Sequence, residues 1–258
     1  MITCGPTWVP IDDTRVISNI STGKLGQVLA TALTKRKAHV TLLEGPVWEP
    51  LRASSLNPNL ALYLKQHRYA YHKMLHGKAG FNPDKRGQIS ARFDQSALRA
   101  DFAIAKSGLK IIKFKFYDDF YRQLTRILKK TRFDIIFHAA AVSDYKLKNP
   151  FPRKLSSHLK KLRLDLTPTK KIINIFKYMQ PQSYLVGFKL MSMINQKKAK
   201  QSARYLFQEA GCDLVVANAL KDNQYEGYIL NKRSEFLAHA NTRAKIVQSL
   251  IRFLGTKL

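Results

Sequence analysis

Two groups of small residues near the start of the chain have the composition of phosphate-binding loops. The first is Gly5-Pro6-Thr7, and the second is the run 19–26, Asn-Ile-Ser-Thr-Gly-Lys-Leu-Gly. Glycines let the backbone approach a ligand closely, and the free N–H groups at a helix N-terminus favour an anion. The run is not a Walker A loop, because Leu25 stands where Ser or Thr is required. On spacing alone, a capped helix with glycines in its first turns is an equal alternative.

A second group of candidate residues follows the apolar run at 134–138. Ala139, Ala140 and Ala141 come directly after that run, and Ser143 and Asp144 come next. In open α/β sheets, ligands bind beyond the carboxyl ends of the strands, and small residues there leave room for one. Asp144 could orient a substrate amide or a metal ion. A tight turn with Asp144 as a helix cap explains the same residues.

Three other residues have side chains suited to a nucleotide. Lys154 lies in the segment 146–160, which is rich in Lys, Pro and Ser and predicts a mobile loop that can close over phosphates. Phe188 and Asn218 each end an apolar run, where an aromatic ring could stack on a base and an amide could read its edge. The alternatives are a solvated surface lysine and two ordinary strand-end residues.

The elements that must position these residues follow the periods of an α/β protein. The predicted architecture is a Rossmann-like, predominantly parallel sheet flanked by helices, with an inserted segment and a C-terminal edge hairpin. Apolar runs predict strands at 1–4, 39–43, 109–116, 134–138, 162–166, 183–188 and 213–218, and the hairpin at 225–230 and 235–238. Helical spacing predicts helices that begin near 21, 118, 167, 196 and 242.

The segment 48–106 interrupts this pattern. Its apolar residues are scattered among Asn, Pro and Gly, which predicts an insertion or subdomain within a single domain spanning 1–258. Its three histidines have poor spacing for one metal-facing helical stripe, so the metal ligands stay unknown. Aromatic and basic side chains that would suit RNA, or simply a solvated helix, alternate at Tyr63, Arg68, Tyr69, Tyr71 and Lys73.

Composition limits the classes of function. Of 258 residues, 45% are hydrophobic, which supports a packed core and excludes wholesale disorder. Lys and Arg number 45 against 17 Asp and Glu, a net charge of +28 that favours anionic partners. A basic source proteome would give the same charge without functional meaning. Two cysteines, no secretory leader and no apolar run of about 18 residues predict a cytoplasmic protein that does not enter a membrane.

Taken in order, these motifs resemble those of the phosphopantothenate–cysteine ligase family, whose domain is often the C-terminal half of a bifunctional flavoprotein. The matching blocks are 5–26, 139–145, 154–157, 186–190 and 213–218. Each block is weak alone, but the ordered set is specific, and the first block is close to a signature.

The resemblance implies a ligation in coenzyme A biosynthesis. CTP, or ATP in many eukaryotic members, activates the carboxylate of 4′-phosphopantothenate as an acyl-nucleotidylate, and pyrophosphate leaves. The amine of L-cysteine then attacks, which gives 4′-phosphopantothenoyl-cysteine and the nucleoside monophosphate. Mg²⁺ and lysines would offset the charge of the two polyanions. A homodimer is implied, and FMN is not expected, because the sequence shows no counterpart of the flavin-binding half.

The resemblance also implies residue roles. Asn19 would stabilise the acyl intermediate, Lys154 would grip the phosphates, and Arg15 would reach a phosphopantothenate phosphate across a dimer interface. Phosphopantothenate would otherwise contact Ala140, Ala141 and Asp144. The nucleotide would contact Gly5, Ser21, Gly23, Gly26, Phe188 and Asn218.

One departure concerns the nucleotide. Leu206 and Ala210 stand where bacterial fused enzymes have two lysines, so the choice between CTP and ATP is open, and Lys198 or Lys200 could substitute.

The alternative class is a basic nucleic-acid-binding protein on a degenerate nucleotide-binding fold. It predicts a contiguous basic stripe away from the cleft, and the ordered motifs make it the less favoured reading. The ligase predicts instead that Asn19, Asp144, Lys154 and Phe188 converge on one cleft.

Overall fold

The structure is a computed structural model that describes residues 1–47, 108–221 and 224–255. The insertion expected at 48–106, with its histidines and its aromatic and basic residues, lies outside the described residues. The helices are α1 (Lys24–Thr34), α2 (Tyr117–Lys130), α3 (Ile173–Met179), α4 (Gln196–Glu209) and α5 (Arg243–Leu254). The strands are β1 (Ile2–Pro6), β2 (Trp8–Pro10), β3 (Val16–Ser18), β4 (Val40–Glu44), β5 (Leu109–Lys113), β6 (Ile135–Ala141), β7 (Tyr145–Leu147), β8 (Leu166–Pro168), β9 (Tyr184–Met191), β10 (Leu214–Lys221), β11 (Gln224–Asn231) and β12 (Phe236–Ala240).

Eight of these strands form the main sheet, in the order β12-β11-β10-β9-β6-β1-β4-β5. The six strands from β10 to β5 in that order are parallel, and β11 and β12 continue the sheet as an antiparallel hairpin. The predicted, predominantly parallel sheet with a C-terminal edge hairpin is confirmed. Since β1 lies between β6 and β4, the carboxyl ends of these three strands share one edge.

Helices cover both faces of the sheet. The apolar faces of α1 and α5 pack on one side, and those of α2, α3 and α4 pack on the other. In α2, Phe120, Leu124 and Leu128 recur every four residues and are all buried, while charged residues face water. The amphipathic period that predicted each helix therefore also determines which face it buries. None of the described helices combines the length and apolar content needed to cross a membrane.

Two short ribbons extend from the carboxyl edge of the main sheet. β2 pairs with β3 and β7 pairs with β8, both antiparallel. Sequence periodicity predicted no strand where β2 and β3 lie, because strands of three residues are too short to show alternation.

The strand predicted at 162–166 is wrong for most of its length. Residues 161–165 have no regular structure, and Thr167 and Pro168 belong to β8 instead of capping α3. Leu162 and Leu166 are exposed, so the alternating leucines bury no sheet face. A strand forms only where β7 supplies a partner.

Candidate active site

The carboxyl ends of β1 and β6 lie side by side and carry two of the candidate groups. The parallel register pairs Gly5 with Ala140 and Pro6 with Ala141. On the other side of β1 lies the loop after β4, where a Cβ added to Gly5 would be 3.0 Å from the Gly45 nitrogen. Small residues line this edge because three backbone segments approach one another closely.

Gly23 is the N-cap of α1 and has a left-handed conformation, with a φ of 66°. A Cβ at this position would be 2.7 Å from Val47 Cγ1 and 3.3 Å from the Gly5 nitrogen. Gly5 also has a positive φ, 81°, so both positions require glycine. The Gly23 N–H donates to the Ser21 hydroxyl at 3.4 Å. The first turn of α1 therefore lies beside Gly5, an arrangement that suits a phosphate.

Gly26 is one turn further into α1 and packs against β1. An added Cβ would be 2.3 Å from Cys4 Cβ, so this glycine lets the helix approach the sheet. Its expected contact with phosphate stays a prediction. Burial raises the pKa of the Cys4 thiol, which suits a core residue and not a nucleophile.

Glu44 ties α1 to the neighbouring strands and was not singled out in the sequence. Its side chain is at the carboxyl end of β4, and the residue is 1% exposed. Gln27 Nε2 donates to Glu44 Oε1 at 2.7 Å, and the Lys113 ammonium pairs with Glu44 Oε2. A buried carboxylate is costly unless it is paired, and the Lys113 ammonium supplies that pair while the hydrogen bond from Gln27 fixes the first turns of α1.

Asn19 joins the glycine loops to the end of β6. Its Nδ2 donates to the carbonyl oxygens of Ala141 and Val142, each at 3.2 Å. Beside it, the Ser143 N–H donates to Thr7 Oγ1 at 2.9 Å, which fixes the two loops to each other. Within the described chain, no hydrogen bond occupies Asn19 Oδ1, and the residue is exposed. The amide can therefore meet a ligand while its nitrogen holds it in place.

Asp144 lies at the open end of this network. Its Oδ1 is 2.5 Å from the Lys171 Nζ, and its carbonyl oxygen accepts from the Thr169 N–H at 2.9 Å. The hydrogen bond to Asp144 raises the pKa of Lys171. Lys171 was not among the residues predicted from the sequence, although a signal was present. Lys170 and Lys171 precede the N-terminus of α3, where the helix dipole disfavours cations.

The segment that carries Lys154 is tied to the β2–β3 ribbon by Asp12. The Asp12 carboxylate accepts from the N–H groups of Thr14, Arg15 and Leu155 at 2.9, 2.7 and 3.1 Å. Burial raises the pKa of Asp12, but these donors outweigh it and lower the pKa to about 2. Lys154 precedes the tethered Leu155 and is exposed.

Arg15 strengthens the same tether. Its Nη1 is 3.2 Å from Asp12 Oδ2, and its Nη2 donates to the Leu155 carbonyl oxygen at 3.2 Å. Within one subunit the guanidinium therefore holds the Lys154 segment. Its expected reach across a dimer interface stays a prediction.

Phe188 and Asn218 lie inside strands and not at strand ends as predicted. β9 and β10 each continue three residues further, to Met191 and Lys221. Phe188 pairs in register with Val216, which is two residues before Asn218. The side chains of Phe188 and Asn218 are therefore on the same face of the sheet, the one covered by α1 and α5. Phe188 is half-buried and Asn218 is buried. Among the described residues, no hydrogen bond links these two to Asn19 or Lys154, so their convergence with the rest of the site stays a prediction.

His138 is buried in β6 below the site. Its Nδ1 is 2.8 Å from the Thr3 hydroxyl, and its ring lies among Phe120 and Phe176. Burial lowers the pKa of His138 to about 3, so the imidazole is neutral at pH 7. This histidine belongs to the core. In the part of the chain that the structure describes, no group of three or more His, Cys, Asp or Glu side chains is placed to hold a metal ion.

Comparisons with known proteins agree with this architecture. The sequence matches the profile of the DNA/pantothenate metabolism flavoprotein C-terminal domain over residues 1–57 and 100–249. The coenzyme A biosynthesis bifunctional protein CoaBC of Thermococcus kodakarensis is 30% identical over 221 residues, 86% of this chain and 41% of that protein. The CoaBC protein of Borreliella burgdorferi is 26% identical over 259 residues, 98% of this chain and 51% of that protein. The chain thus spans about half the length of these relatives, or less.

Two solved structures share the fold. The DNA/pantothenate metabolism flavoprotein of Streptococcus pneumoniae has a TM-score of 0.69 at 20% identity, with 100% of this chain and 98% of that chain covered. A Cab2 mutant in complex with phosphopantothenate-cysteine has a TM-score of 0.61 at 19% identity, with 100% and 88% covered. Because the family profile matches both parts of the α/β core on either side of the 48–106 segment, the chain belongs to the family of the DNA/pantothenate metabolism flavoprotein C-terminal domain.

Proposed function

We propose that the chain catalyses the nucleoside-triphosphate-dependent ligation of 4′-phosphopantothenate with L-cysteine in coenzyme A biosynthesis. The observation that carries this proposal is Asn19, whose side chain hydrogen-bonds to the end of β6. It stands between a glycine-lined helix N-terminus that suits a triphosphate and the small residues before Asp144. Family membership, the CoaBC relatives and the phosphopantothenate-cysteine in the Cab2 structure support the same reaction.

In the first step, a carboxylate oxygen of 4′-phosphopantothenate attacks the α-phosphorus of the nucleotide. The bond from that phosphorus to the bridging oxygen breaks, and pyrophosphate leaves. Gly5, Ser21 and Gly23 would line the triphosphate at the start of α1, with Gly26 one turn further into the helix. Lys154, on its tethered segment, would offset the charge that builds on the leaving group.

In the second step, the cysteine amine attacks the acyl carbon. The bond from that carbon to the nucleotide oxygen breaks, the nucleoside monophosphate leaves, and the amine releases a proton to solvent. Asn19 would hydrogen-bond to the acyl group throughout. Ala140 and Ala141 would leave room for the pantothenate chain, and Asp144 would accept a hydrogen bond from its amide or hydroxyl.

Phe188 and Asn218 would hold the nucleoside of CTP or ATP. Leu206 and Ala210, which replace two lysines of fused enzymes, are buried in the core and offer no surface to a phosphate. Mg²⁺ would be held mainly by the triphosphate, since no cluster of three or more His, Cys, Asp or Glu side chains among the described residues is placed to hold it.

The proposal includes a homodimer formed through the two ribbons. Exposed apolar side chains lie on both, Val16 and Ile17 on β3 and Tyr145 and Leu166 on β7 and β8, and β2 contacts β7. A second copy would cover this surface and bring Arg15 to its partner's substrate. Light scattering should show a dimer that Ile17→Lys converts to a monomer. A monomeric wild-type protein would remove the role proposed for Arg15.

Nucleic-acid binding has no comparable support. In the described residues, basic side chains occupy α2 and α4 on one face of the sheet, α5 on the other face, and residues 146–163. The positive charge of the described residues is therefore spread over both faces of the sheet and does not form one stripe away from the cleft.

The test is pyrophosphate release by the purified chain with 4′-phosphopantothenate, Mg²⁺ and L-cysteine, with CTP and ATP in parallel reactions. Release should require 4′-phosphopantothenate and collapse in Asn19→Ala and Lys154→Ala. Lys160→Ala, at an exposed lysine of the same segment, is the matched control. The faster nucleotide settles specificity. No release with either nucleotide from folded protein would overturn the proposal.

A further inference from the structure

Tyr225 buries a hydroxyl that has no hydrogen-bond partner. The residue lies on β11 and is 6% exposed. Within the part of the chain that the structure describes, its hydroxyl oxygen is the one buried side-chain polar atom without such a partner. A hydroxyl removed from water costs free energy unless another hydrogen bond replaces the one it loses, and buried tyrosines usually have that bond. The unpaired hydroxyl therefore points to a group that reaches it from outside the chain.

The register between β10 and β11 places this hydroxyl beside Asn218. Tyr225 pairs with Leu220, and Gly227 pairs with Asn218. A Cβ added to Gly227 would be 2.9 Å from the Tyr225 hydroxyl oxygen, so the ring leans along the strand over Gly227. The hydroxyl thereby reaches the row of the sheet that holds Asn218, on the face covered by α1 and α5.

The tyrosine ring is held in this position by α5. The Arg243 guanidinium, at the start of that helix, lies over the ring at 5.2 Å from its centre. Burial raises the pKa of Tyr225, so the hydroxyl keeps its proton at neutral pH and can donate it to an acceptor. A fixed and protonated hydroxyl is organised in advance for one geometry of contact.

The same row of the sheet is open beside Asn218. Leu190, which pairs with Asn218 on β9, is 59% exposed although it is apolar. Asn218 itself is 8% exposed, and within the described chain no hydrogen bond engages its side-chain amide. An amide and a hydroxyl without partners therefore adjoin an uncovered stretch of the sheet.

The base of a nucleotide fits these groups better than its phosphates do. The strand order places β10 three strands from β1, a distance of about 14 Å at the usual spacing between strands. The triphosphate proposed to lie at Gly5 and the start of α1 would therefore extend its far end, the base, toward β10. A base has donors and acceptors along its edge and a flat face that the Phe188 ring can contact.

We propose that Tyr225 is a further nucleotide-binding residue, whose hydroxyl donates a hydrogen bond to the edge of the base beside Asn218. The inference rests on the proposed function and adds to it a residue that favours affinity at the expense of stability. In the free protein the unpaired hydroxyl weakens the fold, and in the complex it is paired. Cytosine and adenine both present a ring nitrogen acceptor, so the same contact serves CTP and ATP.

The experiment measures nucleotide affinity and thermal midpoint in Tyr225→Phe. Calorimetric titration with CTP and with ATP, in Mg²⁺ and without 4′-phosphopantothenate, reports binding without turnover. Tyr225→Phe should weaken the affinity for the preferred nucleotide about tenfold, because an acceptor on the base is left unpaired. The thermal midpoint of the free variant should rise by about 2–4 °C, because no unpaired hydroxyl is buried. Its KM for 4′-phosphopantothenate should stay unchanged.

Tyr228→Phe is the matched control on the same strand. Tyr228 is buried on the opposite face of the sheet, and its hydroxyl donates to Glu226 Oε1 at 2.7 Å. This variant loses a hydrogen bond that the free protein already has. It should lower the thermal midpoint and leave nucleotide affinity unchanged.

Titration with the 2′-deoxynucleotide distinguishes the base from the ribose. The loss in Tyr225→Phe should be the same with the deoxynucleotide, whereas a loss confined to the ribonucleotide would overturn the assignment to the base. Unchanged affinity with a lower thermal midpoint would mean that water pairs the hydroxyl, and would overturn the proposal. A wild type that binds neither nucleotide would overturn it as well. A wild type that binds a nucleotide but releases no pyrophosphate would overturn the proposed function alone.

Discussion

The two sides of the candidate site are built by different means. On the phosphate side, Gly5, Gly23 and Gly26 bring backbone segments closer than any side chain would allow. On the opposite side, called the substrate side although Lys154 would reach the leaving phosphates from it, exposed charged side chains such as Asp144 and Lys154 stand on segments held by hydrogen bonds and ion pairs. Substitutions that change the shape of the phosphate side should lower both the activity and the stability of the fold. Substitutions that change the charge of the substrate side should lower the activity and leave the stability of the fold unchanged.

The largest effect is expected from Gly23→Ala on the phosphate side. The alanine would have to adopt a φ of 66°, and its Cβ would lie 2.7 Å from Val47 Cγ1. We expect a loss of about 2–3 kcal/mol in the free energy of unfolding. Pyrophosphate release should fall about a hundredfold, because the helix N-terminus is displaced. Urea unfolding and the activity assay measure the two losses.

Gly211→Ala is the matched control for that change. Gly211 has almost the same φ, 64°, but the nearest atom to its added Cβ is Lys177 Cγ at 3.3 Å. The Gly211→Ala variant should lose about 1 kcal/mol in the free energy of unfolding and keep its activity. Equal stability losses at Gly211 and Gly23 would show that backbone conformation alone, and not the contact between loops, governs the phosphate side.

Lys154→Ala should show the opposite pattern on the substrate side. Because Lys154 is exposed, its removal should change the free energy of unfolding by less than about 0.5 kcal/mol. The kcat for pyrophosphate release should fall about a hundredfold, the size of a lost transition-state contact. If unfolding changes as much as activity, the contrast between the two sides does not hold.

Mild acid should weaken the sheet below the site through His138. Its pKa in the folded protein is about 3, below the ordinary value of about 6.5. Between these values the unfolded chain binds a proton that the folded chain does not, so stability is complete above about pH 6.5 and falls as the pH falls toward 3. Between pH 7 and pH 5, the free energy of unfolding of the wild type should fall by about 2 kcal/mol more than that of His138→Gln. Urea midpoints at the two pH values measure this difference, and His158→Gln, at an exposed histidine, should behave as wild type.

The substrate side should respond only to stronger acid, through Asp12. Its folded pKa is about 2, below the ordinary value of about 3.9, so its contribution is complete above about pH 4 and is lost as the pH falls toward 2. At pH 7, Asp12→Asn should weaken the tether and raise trypsin cleavage in the Lys154 segment about threefold. Asp13→Asn, at an exposed neighbour, is the control. Similar cleavage in the two variants would mean that the Asp12 carboxylate does not hold the segment.

The sequence predicted the sheet and the helices better than it predicted the site. Helices and buried strands leave a periodic pattern of apolar residues in the local sequence. The predictions for β1, β6, α2 and the C-terminal hairpin were therefore confirmed. Ion pairs between distant segments leave no such pattern. Lys171 and Asp144 are 27 positions apart, and the buried Glu44 meets Lys113 over 69 positions. The leucines at 162–166 show the converse, since a strand-like alternation formed no strand where no partner was available.

The position of β1 in the sheet affects how the chain folds during synthesis. β4 can pair with β1 early, but the other neighbour is β6, and Thr3 meets His138 across 135 positions. Until β6 has been translated, a strand destined for the centre of the sheet has an open edge that other chains could join. Such long-range parallel pairing is slow and leaves apolar surface exposed meanwhile. The edge that carries Gly5 is therefore completed late, so the nascent chain should need chaperones until the end of β6 has emerged from the ribosome.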